Sequence, residues 1–157
     1  LTKAVGLGMI LAAFLFVKRV ADTTEVQSMT GDAKAAPQER VPNLPKNVVV
    51  YRVFGALLFG AADTLDTVLR RAGGDTRVII LQMASVTAMD TTALDRLEDL
   101  HLKLRRRNRH LILCGPHTQP YFMMEKAGFL DAVGAENVVA NIEGAAERAR
   151  QLVAAKV

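Results

Sequence analysis

The sequence predicts an α/β domain, a mixed β-sheet with a parallel centre and about four α-helices, preceded by an N-terminal helix of the transmembrane kind. Three observations predict it. Residues 77–83 (RVIILQM) and 110–114 (HLILC) are short, nearly continuous apolar runs, as strands buried on both faces require. Segments of helical period lie between and after them, the clearest being 91–107 with Leu at 94, 97, 100 and 104. Ahead of both, residues 1–17 form an almost unbroken apolar run that stops at Lys18 and Arg19.

As a helix, the run LTKAVGLGMILAAFLFV reaches roughly 25 Å, short of the roughly 30 Å hydrocarbon core of a bilayer. Residues 1–20 are therefore expected to be the end of a last transmembrane helix. With no Met before Leu1, the chain is expected to be a piece of a longer polypeptide. A signal peptide would end in small residues, whereas this run ends Phe16-Val17-Lys18-Arg19. A core helix of a soluble protein would carry a polar face, and residues 4–17 have none. The positive pair beside the span predicts that the chain beyond Arg19 is cytoplasmic, at the inner (plasma) membrane.

Residues 21–45 are expected to be a connector. Few large apolar side chains and three prolines up to Lys46 give it too little to bury against the entropy of ordering. The folded domain is expected over 46–157. Residues 47–55 (NVVVYRVFG) and 56–59 read as two short strands joined by a turn at Gly55. Residues 63–72 read as a helix, with Leu65, Val68 and Leu69 on one face and Asp66, Arg70 and Arg71 opposite, ended by Gly73-Gly74. The strand 77–83, a turn, the Leu-striped helix and the strand 110–114 come next. Thr118 is placed to cap a helix over 119–127, with Pro120 in the first turn and Gly128 ending it. Val138-Val139 is a weak edge strand and 142–155 an Ala-rich final helix. The order is β-β-α-β-α-β-α-(β)-α, with right-handed crossovers.

About 110 residues of domain allow one core. Twenty Lys and Arg against 16 Asp and Glu leave a net charge of +4, too weak for a nucleic-acid binder with no Trp and two Tyr. Cys114 is the single cysteine, which excludes an internal disulfide and fits a reducing compartment. His101, His110 and His117 fall on three elements, without the short spacing of metal ligands. Glu98 and Asp99 are adjacent on a helix and point apart. The glycines make neither a Walker loop nor a dinucleotide fingerprint. No catalytic set emerges, so neither an enzyme nor a cofactor is expected.

Two clusters stand out. Asp90, Thr91, Thr92 and Ala93 come after the most hydrophobic strand and open the striped helix. There the unpaired N–H groups and positive dipole end would stabilise a phosphate or another anion. The plainer reading is capping, by Asp90 or Thr91, with Thr92 and Asp95 at capping-box spacing. Lys103, Arg105, Arg106, Arg107 and Arg109 form the densest charge cluster, suited to an acidic protein or to anionic headgroups. Cations in a last helical turn also complement its dipole without any partner.

The strand VIILQM, the turn MDTTAL, the Leu-striped helix, the strand end Cys114-Gly115-Pro116 and the terminal KAGFLDAVG together resemble a STAS domain. The opening VVVYRVFGALLFGAAD and the apolar helix before the connector resemble the version carried by SulP-family anion transporters. That resemblance implies a STAS fold and a non-catalytic regulatory domain at the cytoplasmic C-terminus of a secondary transporter. The transported class would be sulfate, bicarbonate, dicarboxylate or a related anion. It also implies a homodimer and, as partner, the transmembrane part of the same transporter, which would bind the substrate. A nucleotide is a further ligand proposed for the class. The same fold serves anti-sigma-factor antagonists, whose D-S-S/T turn is phosphorylated on its second hydroxyl residue. By position that residue is Thr92, so a phosphorylation switch is the alternative. Here both hydroxyl residues are Thr, and Ala93 stands where a Gly is common.

Overall fold

The longest strand, β3 (Val78–Met89), lies at the centre of a five-stranded sheet and fixes the position of everything else. A computed structural model describes residues 2–22, 25–28, 44–58 and 61–155. In chain order these form α1 (Thr2–Asp22), β1 (Glu25–Ser28), β2 (Val48–Leu57), α2 (Ala61–Arg71), β3 and α3 (Thr91–Arg105). Then come β4 (His110–Cys114), α4 (Thr118–Lys126), α5 (Phe129–Val133), a 3-10 turn (Ala135–Asn137), β5 (Val138–Val139) and α6 (Ile142–Ala154). Sheet order is β1-β2-β3-β4-β5. β1 is antiparallel to β2, and the other three pairs are parallel.

The apolar runs become strands because both faces of the sheet are covered. Ile79, Leu81, Met83, Leu111 and Leu113 face a larger core with Leu65 and Val68 of α2, Leu94, Leu97, Leu100 and Leu104 of α3, Met124 of α4 and Phe129 of α5. The alternate residues Val48, Val50, Val78, Ile80, Ile112 and Cys114 face a smaller core closed by Ala145 and Ala149 of α6. Small side chains let α6 lie close to the sheet. The period-two alternation of strands makes a run such as Val78-Ile79-Ile80-Leu81 serve both cores at once.

Several expectations change. Val48–Leu57 form one strand rather than two: Gly55 stays in the sheet at φ +84°, where only glycine is unstrained, and the register slips on either side of it. The antiparallel edge partner is instead β1, inside the expected connector. It pairs through backbone hydrogen bonds, so composition gives no sign of it. Connector residues 29–43, with Pro37 and Pro42, and Phe59 and Gly60 lie outside the described residues. The turn expected from Ala84 is strand as far as Met89, paired with β2 up to Leu57. α4 begins at Thr118 with His117 as N-cap, so Thr118 is not the cap. The short helix α5 is an addition to the expected elements. It comes after Gly128, whose φ of +75° turns the chain out of α4.

α1 is a 21-residue helix whose side chains at Val5, Leu7, Met9, Ile10, Phe14 and Phe16 are 60–70% exposed. Among the described residues no helix is long and apolar enough to cross a membrane. Between Lys3 and Lys18 its apolar stretch runs about 14 residues, roughly 21 Å.

Candidate functional site at the start of helix α3

β2 and β3 end side by side, Leu57 opposite Met89, and a single residue, Asp90, separates β3 from α3. Asp90 is extended (φ −107°, ψ 174°), and its N–H donates to the Leu57 carbonyl at 3.1 Å. Its Oδ1 accepts from the Ala93 N–H at 2.8 Å, and its carbonyl accepts from the Leu94 N–H at 3.1 Å. Asp90 is thus the N-cap, and the Thr92–Asp95 pair is not. Thr91 is exposed and Thr92 half-buried, while the Ala93 methyl is enclosed in the larger core. The four residues singled out in the sequence do form one local unit. A negative group on either hydroxyl would meet the positive end of a 15-residue helix and the opposing charge of Asp90.

Two residues outside this cluster, Gln119 and His117, hold the unit in place. β4 pairs with β3 only from Val78 to Gln82, so the far half of β3 has no strand on that side. Gln119, at the start of α4, fills the gap. Its Oε1 accepts from the Met89 N–H and its Nε2 donates to the Met89 carbonyl, both at 2.9 Å. His117 Nε2 lies 2.7 Å from the Ala84 carbonyl, which requires that nitrogen to carry the proton. Contacts about 30 residues apart leave no local pattern to read.

The basic cluster is at the other end of α3, roughly 20 Å away along the helix. Lys103 pairs with Asp99 at 2.6 Å and reaches Asp66 at 3.8 Å. Arg109 Nη2 donates to the carbonyls of Gly73 and Gly74 at 3.0 and 3.3 Å, closing the loop after α2. Arg105, Arg106 and Arg107 are exposed. The cluster is therefore divided between internal ties and a free cationic edge. Cys114 is 1% exposed, and burial, with Glu143 adding to it, pushes its thiol up to about 11. It is a packing residue rather than a nucleophile. Among the described residues no three His, Cys, Asp or Glu are grouped to hold a metal ion.

The sequence matches the STAS domain family over residues 41–145. The chain belongs to the STAS domain family. This STAS domain is 31% identical to a sulfate transporter family protein from Wolinella succinogenes, with a TM-score of 0.68 over 78% of this chain and 99% of that one. It is 27% identical to the STAS domain of a SulP transporter from Vibrio cholerae, with a TM-score of 0.62 over 76% and 93% of the two chains. It is 28% identical over 138 residues to the "Putative sulfate transporter YvdB" of Bacillus subtilis (strain 168), covering 85% of this chain. The chain spans about a quarter of that relative's length. The fold alone is shared with the murine anion transporter Slc26a9 (17% identity, TM-score 0.72) and with the anti-sigma factor antagonist SpoIIAA (19%, 0.57). Its kinship is with the STAS domains of sulfate transporters, and its relation to the antagonists is one of structure.

Proposed function

We propose that this STAS domain is the cytoplasmic regulatory and interaction domain of a SulP-type secondary anion transporter, joined through α1 to the membrane part and itself non-catalytic. The observation that carries this is α1. A helix with Ile10, Phe14 and Phe16 nearly 70% exposed, and no polar face between Lys3 and Lys18, must bury that surface in lipid or in neighbouring helices. Lys18 and Arg19 close it on the side of the domain, the charge pattern of a cytoplasmic flank.

The sheet gives this attachment a direction. β1 starts at Glu25 opposite Phe54, near the carboxyl end of β2, and runs back to Ser28 opposite Tyr51. α1 thus joins the domain at the end of the sheet where Asp90 caps α3. Asp90, Thr91, Thr92 and Ala93 then form a surface toward the membrane part of the same protein, and the Lys103–Arg109 cluster points away from the membrane. That polarity favours an acidic protein over lipid headgroups as partner of the cluster. Transport of sulfate, bicarbonate or a dicarboxylate would reside in the membrane part, with dimer contacts and the Asp90 surface setting its rate.

The test is anion uptake into vesicles holding the full-length parent, comparing wild type with Thr92→Ala, Thr92→Glu and a truncation after Arg19. Loss or rescaling of uptake on truncation supports the proposal. Unchanged uptake and unchanged assembly would overturn it. The second reading is a phosphorylation switch on Thr92, favoured by its hydroxyl at the positive end of α3. Transport-independent phosphorylation of Thr92 in cells, with no anion moved by any variant, would select it.

A further inference from the structure

Among the described residues outside α1, three large apolar side chains are exposed: Leu102 on α3, and the adjacent Tyr121 and Phe122 near the start of α4. Phe122 is 60% exposed, as open as Val5 on α1. Tyr121 stands edge-on to it, with ring centroids 6.3 Å apart and planes at 82°. Pro120 and Met124 take the buried face of α4, so Phe122, two residues from each, falls on the opposite side. From Gly115 to Met124 the chain has no Asp, Glu, Lys or Arg. A single exposed apolar side chain such as Leu102 needs no explanation, whereas an adjacent aromatic pair in an uncharged stretch marks a candidate contact.

Two ties place the pair. Gln119 is bonded to Met89, the last residue of β3, and His117 to the Ala84 carbonyl, so the first turn of α4 stands at the carboxyl end of the sheet. The chain from α1 arrives at the same end. α1 stops at Asp22, and β1 starts at Glu25 opposite Phe54. From Arg19 the helix rises about 5 Å to Asp22, and three extended residue steps add at most about 10 Å. With Lys18 and Arg19 among lipid headgroups, the start of β1 is therefore held within about 15 Å of them. Gln119 occupies the place that β4 leaves beside β3, three strand positions from β1, so the aromatic pair is roughly 14 Å across the sheet from the tether. Leu102 lies about 18 Å along α3 from Asp90, toward the other end.

We propose that Tyr121 and Phe122 rest in the headgroup–acyl boundary of the bilayer that holds α1, giving the domain a second point of contact with lipid. This rests on the membrane reading of α1 given above. Phe122 supplies apolar surface, and Tyr121 supplies an apolar ring with a polar tip, the division of character that aromatic side chains have at a membrane interface. With no charge in the stretch, the contact needs no anionic lipid. A tether at one edge of a sheet leaves the domain free to tilt. A second foot across the sheet removes that freedom and keeps Asp90, which follows Met89, turned toward the membrane.

The experiment uses the full chain in phosphatidylcholine vesicles, made as three single-tryptophan variants at exposed positions: Phe122→Trp, Leu102→Trp and Leu11→Trp. Phe122→Trp should emit to the blue of the urea-unfolded chain. Lipid brominated near the headgroup end of its chains should quench it more than lipid brominated near the tail end, as for a ring sunk about 5–10 Å into the interface. Leu102→Trp should stay water-like and unquenched. Adding Tyr121→Asp to Phe122→Trp should remove at least about half of the quenching. Quenching at Leu11 with water-like emission at Phe122 would overturn the second contact and leave α1 in the membrane. Water-like emission at Leu11 would instead remove the membrane reading and this proposal with it. Equal quenching at Leu102 would show indiscriminate adsorption, and a blue shift at Phe122 without quenching would put a second copy over the ring; either overturns the proposal. Unchanged circular dichroism in the variants separates lost contact from lost folding.

Discussion

The carboxamide of Gln119 engages both backbone groups of Met89, accepting from its N–H and donating to its carbonyl at 2.9 Å each. It stands in for the neighbouring strand that β3 lacks beyond Gln82. Gln119→Ala leaves a donor and an acceptor unpaired beside a residue that is 3% exposed. It should cost about 1–3 kcal/mol, read from the urea midpoint. Gln119→Glu should cost at least as much, because a carboxylate cannot donate to the Met89 carbonyl. A midpoint unchanged in both variants would show that water replaces the carboxamide freely.

Asp90 caps α3 through the Ala93 N–H. Asp90→Ala should lower stability by about 1 kcal/mol, and Asp90→Ser should restore most of that. Equal effects of Ala and Ser would mean that the carboxylate acts by charge, not as a cap.

Burial around Cys114 predicts a thiol silent toward a disulfide reagent at pH 8 while the domain is folded, and fully reactive in denaturant. Rapid labelling of the folded chain would contradict the packing of Ala145 and Ala149 over it.

Stability should fall as the solution is acidified below the usual imidazole value of 6.5. Burial first, with Arg105 adding to it and the hydrogen bond to the Ala132 carbonyl opposing it, holds His101 below that value. Both states are neutral above 6.5. Below it the unfolded chain takes up the proton and the folded one resists, so stability drops until pH reaches the lowered folded value. His110 acts in the same direction. His101→Phe should flatten the slope of the urea midpoint between about pH 7 and 5. A slope identical to wild type would remove His101 from this role.

The chain has no tryptophan, so Leu11→Trp places a unique fluorophore on α1, at a position that is 58% exposed. In vesicles its emission should shift to the blue and be quenched by brominated lipid. Water-like emission without quenching would remove the membrane from the proposed function.

What was legible in the sequence was whatever a single element decides for itself. The Leu stripe at 94, 97, 100 and 104 gave α3, because one helix face sees one core. The runs at 78–81 and 111–114 gave the parallel centre, since only a strand covered on both faces is apolar at every position. What escaped depends on a partner. β1 is specified by the free edge of β2 and not by its own side chains. The last third of β3 buries Val86 and Met89, three residues apart with more exposed residues between them, a spacing that reads as strand only once β2 is known to run alongside. Asp90 to Ala93 was located as a unit, whereas Gln119 and His117, which hold it, were invisible without the tertiary structure.

The antiparallel seam between β1 and β2 also has a mechanical meaning. Its hydrogen bonds lie across the strands, and α1 enters from the end at which β1 begins. A pull on α1 along the strand direction therefore loads all of these bonds together in shear instead of peeling them one by one. Such a seam is stiff. Displacement of β1 is passed to β2 as a whole and, through the Leu57 carbonyl at the same end of the sheet, to the N–H of Asp90, so that the seam and the cap of α3 move as one body.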